Sequence, residues 1–432
     1  RIGGGFRNTV TEVGTTIGGG ADHRVESVYG VVAGGVRNEI RSDSSFSAIV
    51  GGLDNTVMGA DSFIGGGRGN VITDTAAAAA VSGGQFHNVQ APYSFVGGGF
   101  QNWIDGQYGG ISGGVKITAR GIGVFVGGGG LHETEGMYNV IGGGARHTVT
   151  DTNHSVVIGG KANTVRGRKE NFIGGGASNL VEISNTASSD EDRSGGGLVS
   201  GGVSNTVTGG LATIGGGWRN IARGDLTTIA GGFRNMASGY TAAVGGGDGN
   251  TVLGTYSTVS GGMDNQVTND QAFVGGGMAN VIEGDFGIAV GGFENEIGAD
   301  FGFIGGGSEN VVNGLVSGTL VGNRNVIVGN YAIIVGGDSN TAKSNGVFIG
   351  GGARNTGEGT GAVVIGGLEN TVAATANFST ISGGDYNRII DGHNAVISGG
   401  STNRIDTAPF ATIGGGLSNT VESTGSVIGG GQ

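Results

Sequence analysis

Apolar and polar residues follow a fixed schedule along this chain. An Ile or Val is followed by one small or apolar residue, two Gly, two variable residues, an Asn, another variable residue and a second Val or Ile. A polar turn and a small residue then lead to the next Ile or Val, and the whole unit takes 15 residues. Counting that first Ile or Val as position 1, every interval from Val199 to Val364 is 15, and elsewhere it is 15, 16 or 17. The exception lies between Ile173 and Val199, where about eleven extra residues are inserted.

Fifteen residues are too few for a pair of helices and suit one coil of a narrow β-solenoid. The run from position 13 through position 4, as in Tyr256-Ser257-Thr258-Val259-Ser260-Gly261-Gly262, is short and β-branched and predicts a strand. Asn265-Gln266-Val267 predicts a second, shorter one after a Gly-assisted corner. Stacked coils put equal positions about 4.8 Å apart in parallel register. The expected fold is an all-β, Gly-rich parallel β-solenoid or β-roll of about 28 coils, a rod of roughly 130 Å. It is read as one continuous repeat domain over residues 1–432, a stretch of a longer chain, with residues 182–197 as a looped-out, acidic, Ser/Gly-rich insertion.

Some columns hardly vary. Position 1 is Ile or Val in 26 of 28 units and position 4 is Gly in all 28. Position 7 is Asn in 22 of 27, and four of the five exceptions are His23, His87, His132 and His147. Asn and His share a tolerance for positive φ, which predicts a left-handed corner at position 7. Asn205, Asn220, Asn235, Asn250, Asn265, Asn280, Asn295 and Asn310 are expected to form a structural ladder, their amides bonding from coil to coil.

Side chains alternate across a strand, so positions 14, 1 and 3 are expected to face a thin interior and positions 13, 15, 2 and 4 the outside. The outer set carries Phe63, Phe95, Phe125, Phe172, Phe273, Phe303 and Phe348 at position 15, and six of the eight Tyr at position 13. No Asp, Glu, Lys or Arg occupies positions 14, 15 or 1 to 4 in any unit. Strands without charge on either face are expected to be buried on both. Each Phe at position 15 is followed by Gly at position 2, an exchange of bulk that reads as packing complementarity. The Phe row is therefore the expected oligomer face, and an identical chain the simplest partner.

Composition narrows the functional classes. Gly accounts for 103 of 432 residues, charged residues for 13%, and Cys is absent, which removes disulfides and Cys-ligated metals. A net charge of -12 with no basic run disfavours nucleic acid and anionic membrane as partners. No apolar run in this stretch reaches the 20 or so residues of a membrane span.

Candidate chemistry is sparse. The Gly-rich corners lack the Gly-Lys-Ser/Thr that opens a phosphate-binding helix. Asp248-Gly249-Asn250 brushes against a calcium nonapeptide, but the period differs and the Asp column is not kept. The four His are read as corner residues, not as a metal ladder. The insertion residues Ser188, Ser189, Asp190, Glu191, Asp192 and Arg193 read as a solvated loop, with a binding loop or cation site as the functional alternative. Phe6, Phe100, Trp218, Phe233 and Phe293 at position 5, with Trp103 at position 8, suit either sugar stacking or inter-chain packing. An ice-binding face requires ordered rows of Thr, and position 15 mixes Thr with Phe, Val, Leu, Ala and Gly. No catalytic residue, cofactor or metal site is expected.

Segments such as Tyr256-Ser257-Thr258-Val259-Ser260-Gly261-Gly262 and Phe410-Ala411-Thr412-Ile413-Gly414-Gly415-Gly416 resemble the S-x-A-x-G head repeats of trimeric autotransporter adhesins, and similar repeats occur in phage and tailocin fibres. The resemblance implies a left-handed parallel β-roll, three chains around one axis, export to the cell surface, and binding to host matrix or other surfaces. The functional expectation is a non-enzymatic structural and adhesive segment of an extracellular fibre. Its partners would be identical chains, a homotrimer before a filament, and host or surface glycans or proteins. A polymerising extracellular filament or sheath and a phage tail-fibre shaft are the alternatives.

Overall fold

A computed structural model describes residues 1–184 and 195–432. The fold is an all-β parallel solenoid of about 27 turns, with no helix among the described residues. The 28 unit starts close about 27 turns because residues 428–432 do not complete another. The chain divides into two compact units, Arg1–Ala222 and Arg223–Gln432, each with the same internal order.

Within each unit a turn contributes three short β segments to three parallel ladders. The first is a two-residue strand at positions 15 and 1, such as Thr258–Val259, paired in register with Phe273–Val274. The second is a single bridging residue at position 5, as in Asp248, Met263 and Met278. The third is a strand at positions 8 and 9, such as Gln266–Val267, paired with Val281–Ile282. Three corners close the turn, and the backbone is left-handed at positions 4, 6 and 13, as at Gly262, Asp264 and Tyr256.

This geometry corrects three expectations. The main strand does not begin at position 13: Tyr256 has φ 56° and is a corner, while Ser257 turns fully inward at position 14. Left-handed backbone at an aromatic residue costs of the order of 1 kcal/mol or more. The stack offsets it, because the Tyr256 N–H donates to the Tyr240 carbonyl of the preceding turn. Position 7 is not left-handed either: the corner falls one residue earlier, and Asn265 follows Asp264 (φ 52°) into the interior. Position 3 faces outward, since a Cβ added at Gly261 would meet nothing, and Val321, which replaces Gly there, is 62% exposed.

Gly at position 4 has two causes. Gly262 has φ +95°, and a Cβ on it would stand 2.1 Å from the carbonyl oxygen of Gly277 in the next turn. The core is one side chain thick, built from Ile or Val at position 1, Val or Ile at position 9, small residues at position 14, and Asn at position 7, all essentially without solvent exposure. Such rows bury on the order of 2 kcal/mol of transfer free energy per Ile or Val.

The described edges of the insertion join this order. Leu180–Ile183 forms a strand in which Arg166 pairs with Glu182 and Gly167 with Ile183, so residues 182 and 183 belong to the second ladder and not to a loop. Gly197 is buried and donates its N–H to Asn171 Oδ1 at 2.9 Å. Ser188, Ser189, Asp190, Glu191, Asp192 and Arg193 lie outside the described residues.

Candidate functional site

The most repeated side-chain chemistry is the Asn column. Asn250 Nδ2 donates to the Gly246 carbonyl of its own turn and to the Gly262 carbonyl of the next, both at 2.9 Å. Asn250 Oδ1 accepts the main-chain N–H of Asn265 at 3.1 Å. Both amide hydrogens and the oxygen are thus used, as a buried amide requires. In the first unit Asn205 Oδ1 accepts from the N–H of Asn220 at 3.0 Å. In the second, the same contact runs from Asn235 to Asn250, Asn265, Asn280, Asn295 and Asn310. Within each unit the column satisfies main-chain groups at the corner, where no strand ladder reaches, and it is interrupted in the first unit at Ile117, whose N–H donates to Asn102 Oδ1 but whose side chain accepts nothing.

The His exceptions follow the same requirement. His23 Nδ1 accepts the N–H of Asn38, His87 Nδ1 that of Asn102, His132 Nδ1 that of His147, and His147 Nδ1 that of Asn163, each at 3.1 or 3.2 Å. An acceptor at Nδ1 requires the neutral ring. Burial depresses the basicity of His87 and His147, and burial together with the charge of His147 pushes His132 down to about 4. The His132 and His147 rings stack at 5.0 Å with 2° between planes. Nδ1 is thus occupied in each ring, and no group of three metal-ligating side chains occurs among the described residues.

A second Asx ladder runs along the outer turn of the second unit, with the opposite direction. Thr255 N–H donates to Asp270 Oδ1 at 2.7 Å, Asp270 N–H to Asp285 Oδ1 at 3.0 Å, and Asp285 N–H to Asp300 Oδ1 at 2.9 Å. Asn330 and Asn345 continue the pattern toward Leu315 and Asn330. Sequence reasoning missed it, although the recurrence of Asp or Asn at position 12 was its signal.

The outer face of the first ladder is apolar. Phe63, Phe95, Phe125, Phe273, Phe303 and Phe348 are each between 36% and 46% exposed, and Phe172 is half-buried. Exposed Val50, Ile158, Val290, Leu320 and Ile365 at position 2 widen the strip. The coupling of Phe at position 15 with Gly at position 2 has a cause within one chain. Cε1 of Phe63, Phe95, Phe172 and Phe273 each lies 3.4 Å from where a Cβ on the Gly two residues on would stand. The ring lies across its own turn, and this exchange of bulk needs no partner.

No protein-family model and no curated protein matches this chain.

The position 5 aromatics also meet their own chain. Arg7 lies over Phe6 at 4.7 Å, Arg219 over Trp218 at 4.9 Å and Arg234 over Phe233 at 4.5 Å, each Arg following its aromatic residue into the left-handed corner. Phe100 meets the edge of Phe86 at 5.9 Å, and Phe293 bridges Met278 and Ser308 in the ladder. Trp103 lies under Arg120 at 5.2 Å. Exposed ion pairs run along the same edge. Arg37 meets Asp54 at 2.5 Å and holds its carboxyl below the usual range, and Arg324 does the same to Asp338 at 2.8 Å. Position 13 carries stacked rings, among them Tyr93 on Tyr108 at 5.1 Å and Phe286 on Phe301 at 4.8 Å.

Proposed function

We propose that this chain is a structural and adhesive segment of an extracellular surface fibre and that it associates with identical chains through the outer face of its first ladder. The observation that supports this most is the exposed apolar strip at positions 15 and 2, which no Asp, Glu, Lys or Arg interrupts. Scattered apolar residues are normal on a protein surface, whereas a contiguous apolar strip marks an interaction surface. The stacked main-chain ladders and the Asn column supply stiffness, since within each unit successive described turns are bonded through three parallel ladders. The extracellular setting and the adhesive role draw on the resemblance to autotransporter head repeats.

Sedimentation of the native chain, beside the Phe273→Asp, Phe303→Asp double variant, tests the reading. The native chain is expected as an oligomer and the double variant as a monomer with an unchanged β circular dichroism spectrum. A native chain that sediments as a monomer at tens of micromolar would overturn it.

A further inference from the structure

One place on the strip is open. In the second unit Gly318 replaces a side chain at position 15, and Phe301, Phe303, Val316, Leu320 and Ile333 surround a hollow of about 280 Å³ above it. An apolar cavity of about 150 Å³ accepts a benzene ring, so the hollow has room for one phenyl group. The Phe303 ring forms its wall and cannot fill it. The Phe at position 15 beyond Ile333 is Phe348, 37% exposed on the same face.

Gly318, Ile333 and Phe348 are consecutive partners in one parallel ladder, so Ile333 stands midway between the hollow and the ring. We infer that two copies pack antiparallel through this face, around a two-fold axis at Ile333, each inserting Phe348 into the hollow over the other's Gly318. The inference rests on the self-association reading and fixes its geometry.

The rest of the column fits that axis. One turn further out on each side, Phe303 opposes Val363, and at the ends of the contact Phe273 opposes Val396, so every Phe meets a smaller residue. Moving the axis half a turn toward Gly318 would set Phe303 against Phe348. Moving it a full turn would set Phe303 against Ile333. A parallel two-fold would instead set position 15 against position 2, placing each Phe over a Gly beside which its own ring already lies, as Phe273 does at Gly275, and offering the hollow only Leu320. From Phe273 to Val396 the strip is about 40 Å long and, with the flanking corner side chains, about 20 Å wide. That gives about 800 Å² per copy, what a stable dimer buries.

The chain has no Cys, so single-Cys variants of the full chain report the axis directly. Ile333→Cys, Val363→Cys and Thr258→Cys are oxidised under mild conditions and run on non-reducing gels. Ile333→Cys is expected to give disulfide-linked dimer at least tenfold faster than the other two, and Phe348→Ala to weaken dimerisation of the native chain at least tenfold in sedimentation. Equal cross-linking at all three sites would keep self-association and overturn the antiparallel axis. No cross-linking in a chain that still sediments as an oligomer would also overturn the axis. A native monomer would overturn the association reading itself.

Discussion

Asn265 gives two hydrogen bonds to one atom: its main-chain N–H at 3.1 Å and its side-chain Nδ2 at 3.0 Å both point to Oδ1 of Asn250. The same Nδ2 reaches the Gly261 and Gly277 carbonyls, and its own Oδ1 accepts the N–H of Asn280. Asn265→Leu keeps a similar volume but leaves three buried main-chain groups without these bonds. We expect a loss of about 3 kcal/mol in urea unfolding of the chain. Asn265→His is expected to cost less than half as much, because Nδ1 can take over the acceptor role as it does at His132.

Adjacent glycines should answer very differently to one methyl group. Gly261→Ala places Cβ in open space and is expected to change stability by less than about 0.5 kcal/mol. Gly262→Ala meets the Gly277 oxygen from a left-handed backbone and is expected to cost more than about 2 kcal/mol. Paired thermal melts of the two variants check the contrast.

Thr134 occupies position 9, fully buried, and its hydroxyl has no hydrogen-bond partner. Thr134→Val removes that hydroxyl without changing shape and lengthens the Val row toward Val149. A gain of about 1 kcal/mol is expected, read as a higher urea midpoint at an unchanged slope.

The stacked imidazoles give the first unit a pH dependence. His132 titrates near 6.5 when unfolded and at about 4 when folded, so between these values the unfolded chain binds more protons. Stability is therefore full above pH 6.5 and falls as the pH drops toward 4, with His147 adding in the same direction. Replacing both by Asn should flatten the pH dependence of the thermal midpoint between pH 6.5 and 4, relative to the native chain.

Much of this architecture was legible because the period is a direct consequence of stacking: residues that lie above one another in a ladder face the same neighbours. The invariant Gly at position 4 and the Ile/Val at position 1 are read correctly from recurrence alone. Position 13 misleads because left-handed backbone there is carried by Tyr256, Phe286 and Phe301 as well as by Gly123, Gly346 and Gly361, and the price is met by bonds to the turn before. The Asn/His exchange is visible in the sequence, but its cause lies in the shared ability to accept a main-chain N–H, which a linear sequence does not distinguish from shared backbone preference. The Phe–Gly coupling reads in the sequence as packing against a partner, whereas in the structure the Phe273 ring lies beside its own Gly275.

Spin-label distances along one column test the stacking of one turn per fifteen residues most directly. Cys introduced at the corner positions of Gln271, Thr241 or Tyr256, each together with a Cys at Tyr331, would carry the labels within the second unit. The separations, four, five and six turns for Gln271, Tyr256 and Thr241, are expected to rise in equal steps of about 4.8 Å, from about 19 to about 29 Å. Distances that fail to grow with the number of intervening turns would contradict the fold on which everything above is built.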